Sequence, residues 1–156
     1  MTNDEFAAQL IALTQTLYRV SCAQLSQAAD REDAVQEALR KEWEKRGSLR
    51  DENALKPWLI RILINECHTL QRRAARVIPA ESIELESSEE NDTLALREAL
   101  LSLPEKLRMP LVLRYMEQMH AEEIASVLRV PVSTVRSRIQ RAKKILRERL
   151  GEEAEA

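Results

Sequence analysis

Five side chains toward the C-terminal end of the chain have the types and spacing needed to read nucleic acid: Thr134, Arg136, Ser137, Gln140 and Arg141. Arginine presents a planar fork of donors, glutamine both a donor and an acceptor, and serine and threonine a hydroxyl. These are the groups that pair with base edges in the major groove of duplex DNA. Arg138, Lys143, Lys144, Arg147 and Arg149 extend the positive charge, opposed only by Glu148. Phosphates attract such charge whatever the base sequence. A basic run alone describes a solvated helix face equally well, so the reading depends on the elements that hold these groups.

Those elements are legible as periodicity. Val132, Val135, Ile139, Ala142, Ile145 and Leu146 recur at helical spacing and make one apolar stripe, and the five polar groups fall off it. A shorter helix is expected over residues 121–128 and a turn over 129–131. Pro131, with a fixed φ and no N–H, suits a helix first turn and cannot sit inside the helix before it. Two helices with this connection form a helix-turn-helix whose second helix, 132–150, is the recognition helix. Arg129 lies in this turn; if its φ is positive, it carries about 1 kcal/mol of strain. Gly151 is the expected end of the helix, with a disordered tail over 151–156.

Upstream, a helix is expected over residues 4–28, capped by Thr2 or Asn3, with Phe6, Leu10, Leu13, Leu17 and Val20 as its core stripe. A second, 31–46, begins at Asp30 and stops at Gly47. It buries Ala34, Val35, Ala38, Leu39 and Trp43, and shows Asp33, Gln36, Glu37, Arg40 and Glu44 on its other face. A polar loop, 48–53, leads into a third helix, 54–76. There Leu55, Leu59, Ile62, Leu63, Glu66 and Leu70 lie on or near one side. Arg61, Asn65, His68 and Arg72 line another at spacings of four, three and four, an arrangement that can follow a nucleic-acid strand. Residues 80–93 lack a helical stripe and are rich in Glu and Ser, as a linker would be. After it come a short helix, 94–101, and one starting at Pro104 that carries Leu107, Leu111, Val112 and Tyr115, with Pro110 expected to kink it or mark its start. His120 is a weak cap for the helix at 121–128 and implies a frayed start.

The expected fold is therefore all-α. Two small helical domains, 1–78 and 94–150, are joined by a flexible acidic linker at 79–93. Only 3% of the 156 residues are aromatic, so the cores must be built mainly of Leu, Ile, Val and Ala. Two glycines and five prolines leave few breaks, which favours long helices over a sheet. The net charge of −2 hides an acidic linker and a basic final helix. There is no constellation of nucleophile, base or metal ligands, so no enzyme and no cofactor are expected. Cys22, Cys67, His68 and His120 have poor spacing for a metal site. The separated cysteines, with no secretory signal and no apolar run long enough to span a bilayer, point to a reducing cytoplasm without membrane insertion.

Four motifs go further: D-R-E-D-A-V-Q-E-A at 30–38, P-W-L-I-R-I-L-I-N-E-C at 57–67, L-P-E-K-L-R-M-P-L-V-L-R-Y at 103–115 and E-I-A-S-V-L-R-V-P-V-S-T-V-R-S-R-I-Q-R-A at 123–142. In this order, on either side of a polar linker, they resemble the extracytoplasmic-function sigma factors, the smallest class of bacterial transcription initiation factors. The resemblance implies a region-two domain before the linker and a region-four domain after it. It implies that Asp33, Gln36 and Glu37 face core RNA polymerase, that Arg61 and Asn65 touch the promoter minus-10 element, and that the loop 48–53 captures a flipped base. It implies that Ser133, Thr134, Arg136, Ser137, Gln140 and Arg141 read the minus-35 element. The linker would thread through the polymerase near the RNA path. The implied partners are core RNA polymerase, promoter DNA and an anti-sigma factor. A free-standing helix-turn-helix regulator would also account for the final two helices, but not for the motifs of the first domain.

Overall fold

The computed structural model describes residues 1–74 and 91–155, and among them every regular element is helical. The chain divides into two compact units, Met1–Ile83 and Glu84–Ala156. The expected linker falls mostly outside the described residues.

The first unit packs α1 (Asn3–Cys22), α2 (Ala28–Glu44) and α3 (Leu55–Ala74) against one another. Thr2 caps α1: its hydroxyl accepts from the Glu5 N–H at 3.1 Å, while the Glu5 carboxylate accepts from the Thr2 N–H at 3.1 Å. This reciprocal pair satisfies two N–H groups that the helix itself leaves without partners. Phe6, Leu10, Leu17 and Val20 from α1 meet Ala34, Val35 and Ala38 from α2 and Leu55, Leu59, Ile60, Leu63, Ile64 and Cys67 from α3. Leu13 is only half-buried.

Several helix boundaries differ from expectation. The first helix ends at Cys22, not at 28. The chain turns there with the Leu25 N–H on the Ser21 carbonyl at 2.8 Å, and Leu25 is itself buried. Gln27, not Asp30, stands at the start of α2, and Asp30 lies in the first turn, where its charge still favours the helix dipole. Gly47 does not stop α2. The helix closes at Lys45, and a 3-10 turn, Arg46–Ser48, follows. Terminal carbonyls are satisfied by side chains: Arg46 donates to the Trp43 carbonyl at 2.9 Å and Ser48 to that of Lys45 at 2.7 Å. Gly47 accordingly needs no positive φ. Trp43 and Leu39 are half-buried, and Glu42 takes a buried place beside them. Trp43 lies with its ring centroid 6.2 Å from that of Phe6, and the Arg46 guanidinium sits 4.3 Å over its ring. An ion pair between Lys41 and Glu66, and a 2.9 Å hydrogen bond from the Gln71 amide to the Gln24 carbonyl, tie α3 to the rest.

The second unit contains α4 (Asn91–Ser102), α5 (Glu105–Tyr115), α6 (Ala121–Leu128) and α7 (Val132–Glu155). Helix α4 starts three residues before the expected 94. Arg108 closes its far end by donating to the carbonyls of Leu101 at 3.3 Å and Leu103 at 2.9 Å. Pro104 immediately precedes α5, and its carbonyl accepts from the Leu107 and Arg108 N–H groups, both at 2.9 Å. Pro110 is buried inside α5 and does not mark its start. Tyr115, expected in the core stripe of α5, is exposed, with the Lys143 ammonium 4.8 Å over its ring. Met109, Leu111, Val112 and Leu113 fill the core with Ile124, Val127, Val135, Ile139 and Ala142. The start of α6 is not frayed: the Glu123 carboxylate accepts from the His120 N–H at 3.2 Å, which compensates for a weak cap residue. The last helix passes through Gly151, its expected stop, and continues to Glu155. A helix-interior glycine costs only about 1 kcal/mol, too little to end a helix unless the chain is also required to turn.

Candidate nucleic-acid interfaces

The connection between α6 and α7 sets the recognition helix. Arg129 adopts the left-handed conformation, φ 58° and ψ 47°, and its N–H donates to the Ala125 carbonyl. The Val130 N–H reaches the same carbonyl at 3.1 Å. This is the closure usually made by glycine. The Pro131 carbonyl then accepts from the Thr134 and Val135 N–H groups at 3.0 and 3.2 Å, starting α7. Val135 and Ala142 are fully buried and Ile139 nearly so, and they pin α7 to the unit. Val132, Ile145 and Leu146 are half-buried at the stripe's margins.

All six sequence-predicted recognition residues lie away from that stripe. Ser133, Arg136, Ser137, Gln140 and Arg141 are exposed within an arc of about 140°, and Thr134, at the edge of the arc, is half-buried. From Ser133 to Arg141 the patch is about 12 Å long. The Ser137 hydroxyl donates to the Thr134 carbonyl at 3.1 Å, leaving its oxygen to act as an acceptor. Arg136 approaches Glu122 of α6 at 3.5 Å. With both side chains about two-thirds exposed, this is a loose, water-screened pair that a phosphate or base can displace. Glu122 was not foreseen, because nothing in its sequence separation of fourteen residues signals the approach. A shallow groove lined by Gln140, Arg141, Lys144, Arg147 and Glu148 continues the same surface along α7.

In the first unit, Asp33 and Gln36 are exposed on α2, while Glu37 is half-buried. Both Glu37 oxygens accept from Arg40, one of them at 3.1 Å, and Arg40 also pairs with Glu44. The Arg40 hydrogen bonds hold the Glu37 carboxyl below the usual carboxylate range. This third member of the set therefore carries a locally compensated charge. The loop 48–53 is polar and mostly exposed as expected. It is more ordered than an open loop: a 3-10 turn closes each end, and Asp51 accepts from the Asn53 N–H at 3.0 Å.

On α3, Asn65 is exposed and Arg61 half-buried. The Arg61 guanidinium lies 5.2 Å from the ring centroid of Trp58, one helical turn earlier. That three-residue spacing is the signal by which Trp58 could have been grouped with Arg61. Trp58 is 41% exposed, and its indole N–H donates to Glu42, which is only 1% exposed. Burial pushes the Glu42 carboxyl up, while the Trp58 hydrogen bond and the Lys45 charge act against that rise. Among the described residues no group of His, Cys, Asp and Glu could hold a metal ion, and no helix is long and apolar enough to cross a membrane.

A three-helix unit with an exposed acidic and polar face, followed by a helix-turn-helix unit with a basic recognition helix, has the make-up of a two-part DNA-binding protein. Comparison with known proteins agrees. The family model for Sigma-70 region 2 matches residues 10–77, and that for Sigma-70 region 4 matches residues 93–146. The chain is 31% identical over 144 residues to RNA polymerase sigma factor SigV of Bacillus subtilis (strain 168), covering 89% of this chain and 87% of that one. It is 34% identical over 139 residues to the ECF RNA polymerase sigma-E factor of Escherichia coli (strain K12), covering 76% and 73%. Among solved structures, the sigma factor RpoE in complex with the anti-sigma factor NepR from Bartonella quintana superimposes with a TM-score of 0.82 at 26% identity, over 94% of this chain and 97% of that one. CnrH, in complex with the cytosolic domain of CnrY, shares the fold with a TM-score of 0.76 at 24% identity, over 97% and 90%.

The chain belongs to the extracytoplasmic-function class of RNA polymerase sigma factors. It is a promoter-directing transcription initiation factor and not an enzyme. The match to both regions sets aside the free-standing helix-turn-helix regulator, which would need only the second.

Proposed function

We propose that this sigma factor divides promoter recognition between its two units. In the second, Ser133, Thr134, Arg136, Ser137, Gln140 and Arg141 read the minus-35 element in the major groove. In the first, Arg61 and Asn65 hold the non-template strand of the minus-10 element and the loop 48–53 receives an extruded base. Extraction costs a few kcal/mol, which this small unit cannot supply alone, so core RNA polymerase contributes. Asp33, Gln36 and Glu37 meet core polymerase, with Asp33 and Gln36 the more exposed of the three. The region-two role belongs to residues 1–78, the linker role to 79–93 and the region-four role to 94–150. The observation that carries this reading is the two-sided character of α7: Val135, Ile139 and Ala142 are buried, and a basic, hydroxyl-rich face is turned to solvent.

The solved relative bound to an anti-sigma factor supports a similar inhibitory partner for this chain. Its place of action is the cytoplasm, where polymerase and promoter DNA are found. Run-off transcription with core polymerase and a promoter library tests the reading. Transcripts should start from promoters sharing two elements, and Arg136→Ala should lose discrimination only at the upstream one. Tight, specific DNA binding that is indifferent to core polymerase would refute the division of labour.

A further inference from the structure

A buried carboxylate in a small helical unit needs an explanation. Glu42 is 1% exposed, and its Oε2 has no hydrogen-bond partner. An apolar side chain of similar volume commonly serves a core at least as well as a buried charge. What Glu42 adds is an acceptor for the Trp58 indole N–H.

That bond acts on an indole with two-fifths of its surface in water. Packing on one side leaves such a ring free to tilt, and a hydrogen bond at its N–H edge removes that freedom. The ring face in turn carries the Arg61 guanidinium, 5.2 Å from its centroid, within the range of cation–π attraction. The orientation of the ring therefore sets the position of the guanidinium. The Lys41–Glu66 ion pair holds α2 against α3 one residue away from Glu42 in sequence, keeping the acceptor in register with the indole.

We infer that Glu42 is a positioning residue for Arg61, acting through Trp58, so that a buried group on α2 presets a strand-binding guanidinium on α3. The inference rests on the assignment of Arg61 to the minus-10 strand proposed above. A lone glutamate in a helix of mixed charge gives no hint of this role in the sequence, since it looks like any solvated position.

The test uses holoenzyme reconstituted from the full chain and core polymerase. Promoter opening is read by permanganate reactivity of the melted strand, and core binding by pull-down. Glu42→Leu should weaken opening about tenfold, the ordinary worth of a hydrogen bond to a charged group, while core binding is retained. Glu42→Gln should restore opening, because its amide oxygen accepts the same N–H. Trp58→Phe keeps a ring but removes the donor; it should match Glu42→Leu and decides the matter if the leucine variant fails to fold. In a Trp43→Phe background, where Trp58 is the one remaining indole of the two in the sequence, Glu42→Leu should lower the fluorescence anisotropy of that indole. Glu42→Leu combined with Arg61→Ala should open no worse than Arg61→Ala alone. Normal opening by both Glu42→Leu and Trp58→Phe, or an additive double variant, overturns the inference while leaving the role of Arg61 intact. Normal opening by Arg61→Ala itself overturns both.

Discussion

Replacing Arg129 by glycine should stabilise the helix-turn-helix unit without altering what it reads. Arg129 holds φ 58° and ψ 47°, where a Cβ crowds the following carbonyl. For a residue other than glycine this costs about 1–2 kcal/mol. Glycine removes that cost but loses about 0.5–1 kcal/mol more backbone freedom on folding. The net gain spans about 0–1.5 kcal/mol and centres on about 0.75 kcal/mol, a rise of a few degrees in Tm for a unit of this size. Arg129→Ala is the control, since it deletes the same side chain but keeps the Cβ and hence the strain. Melting should be followed by circular dichroism in the full chain, with a fluorescent probe on the second unit to separate its transition from that of the first. Glycine should raise the second transition and alanine should not. Equal melting of the two variants, or destabilisation by glycine, would show that the left-handed turn stores no strain. The two closing hydrogen bonds on the Ala125 carbonyl are unchanged by either substitution, so neither should change discrimination at the minus-35 element in run-off transcription.

Other expectations follow from the same structure. Arg136→Ala or Arg141→Ala should cost about 1–3 kcal/mol of promoter affinity, at one base position, if the side chain reads a base edge. A phosphate contact would instead weaken all sequences alike and flatten the salt dependence, which competition binding across salt concentrations distinguishes. Reversing the charges of Asp33 and Glu37 should leave the melting curve near that of the wild type and weaken pull-down of core polymerase; unchanged pull-down by a folded variant removes these residues from that interface. The Asp33 reversal alone should account for most of the effect, because Arg40 already compensates Glu37. Glu42→Gln should alter the pH dependence of stability. Burial raises the folded Glu42 carboxyl above its ordinary value, so its contribution is full below that ordinary value and is lost as pH rises through the folded one. The glutamine variant should therefore gain on the wild type from about pH 4 upward, and a difference in Tm that does not vary with pH would count against the burial argument.

Much of the interface was legible because helical periodicity reports which residues share a face. The register of α7 is an example: once Val135, Ile139 and Ala142 are taken as the inner stripe, the outward position of Ser133, Arg136, Gln140 and Arg141 is a matter of 100° per residue. Helix ends were less legible. Gly47 and Gly151 look like stops, but a glycine ends a helix only where the chain must turn. Arg46 and Ser48 satisfy the end of α2 before Gly47 is needed, and α7 has no such turn at Gly151.

The sequence by itself determined the all-helical class, the helix-turn-helix and its outward face, and the order of the motifs, because each depends on local spacing along one chain segment. Tertiary structure decided what happens at the edges of those faces. Whether Glu42 is solvated or buried under Trp58 depends on which atoms of α3 lie against α2. The approach of Glu122 to Arg136 depends on how a left-handed residue aims α7 past α6. Desolvation and Coulomb attraction act through space between neighbours distant in sequence. A pattern with a period of 3.6 residues holds no record of them.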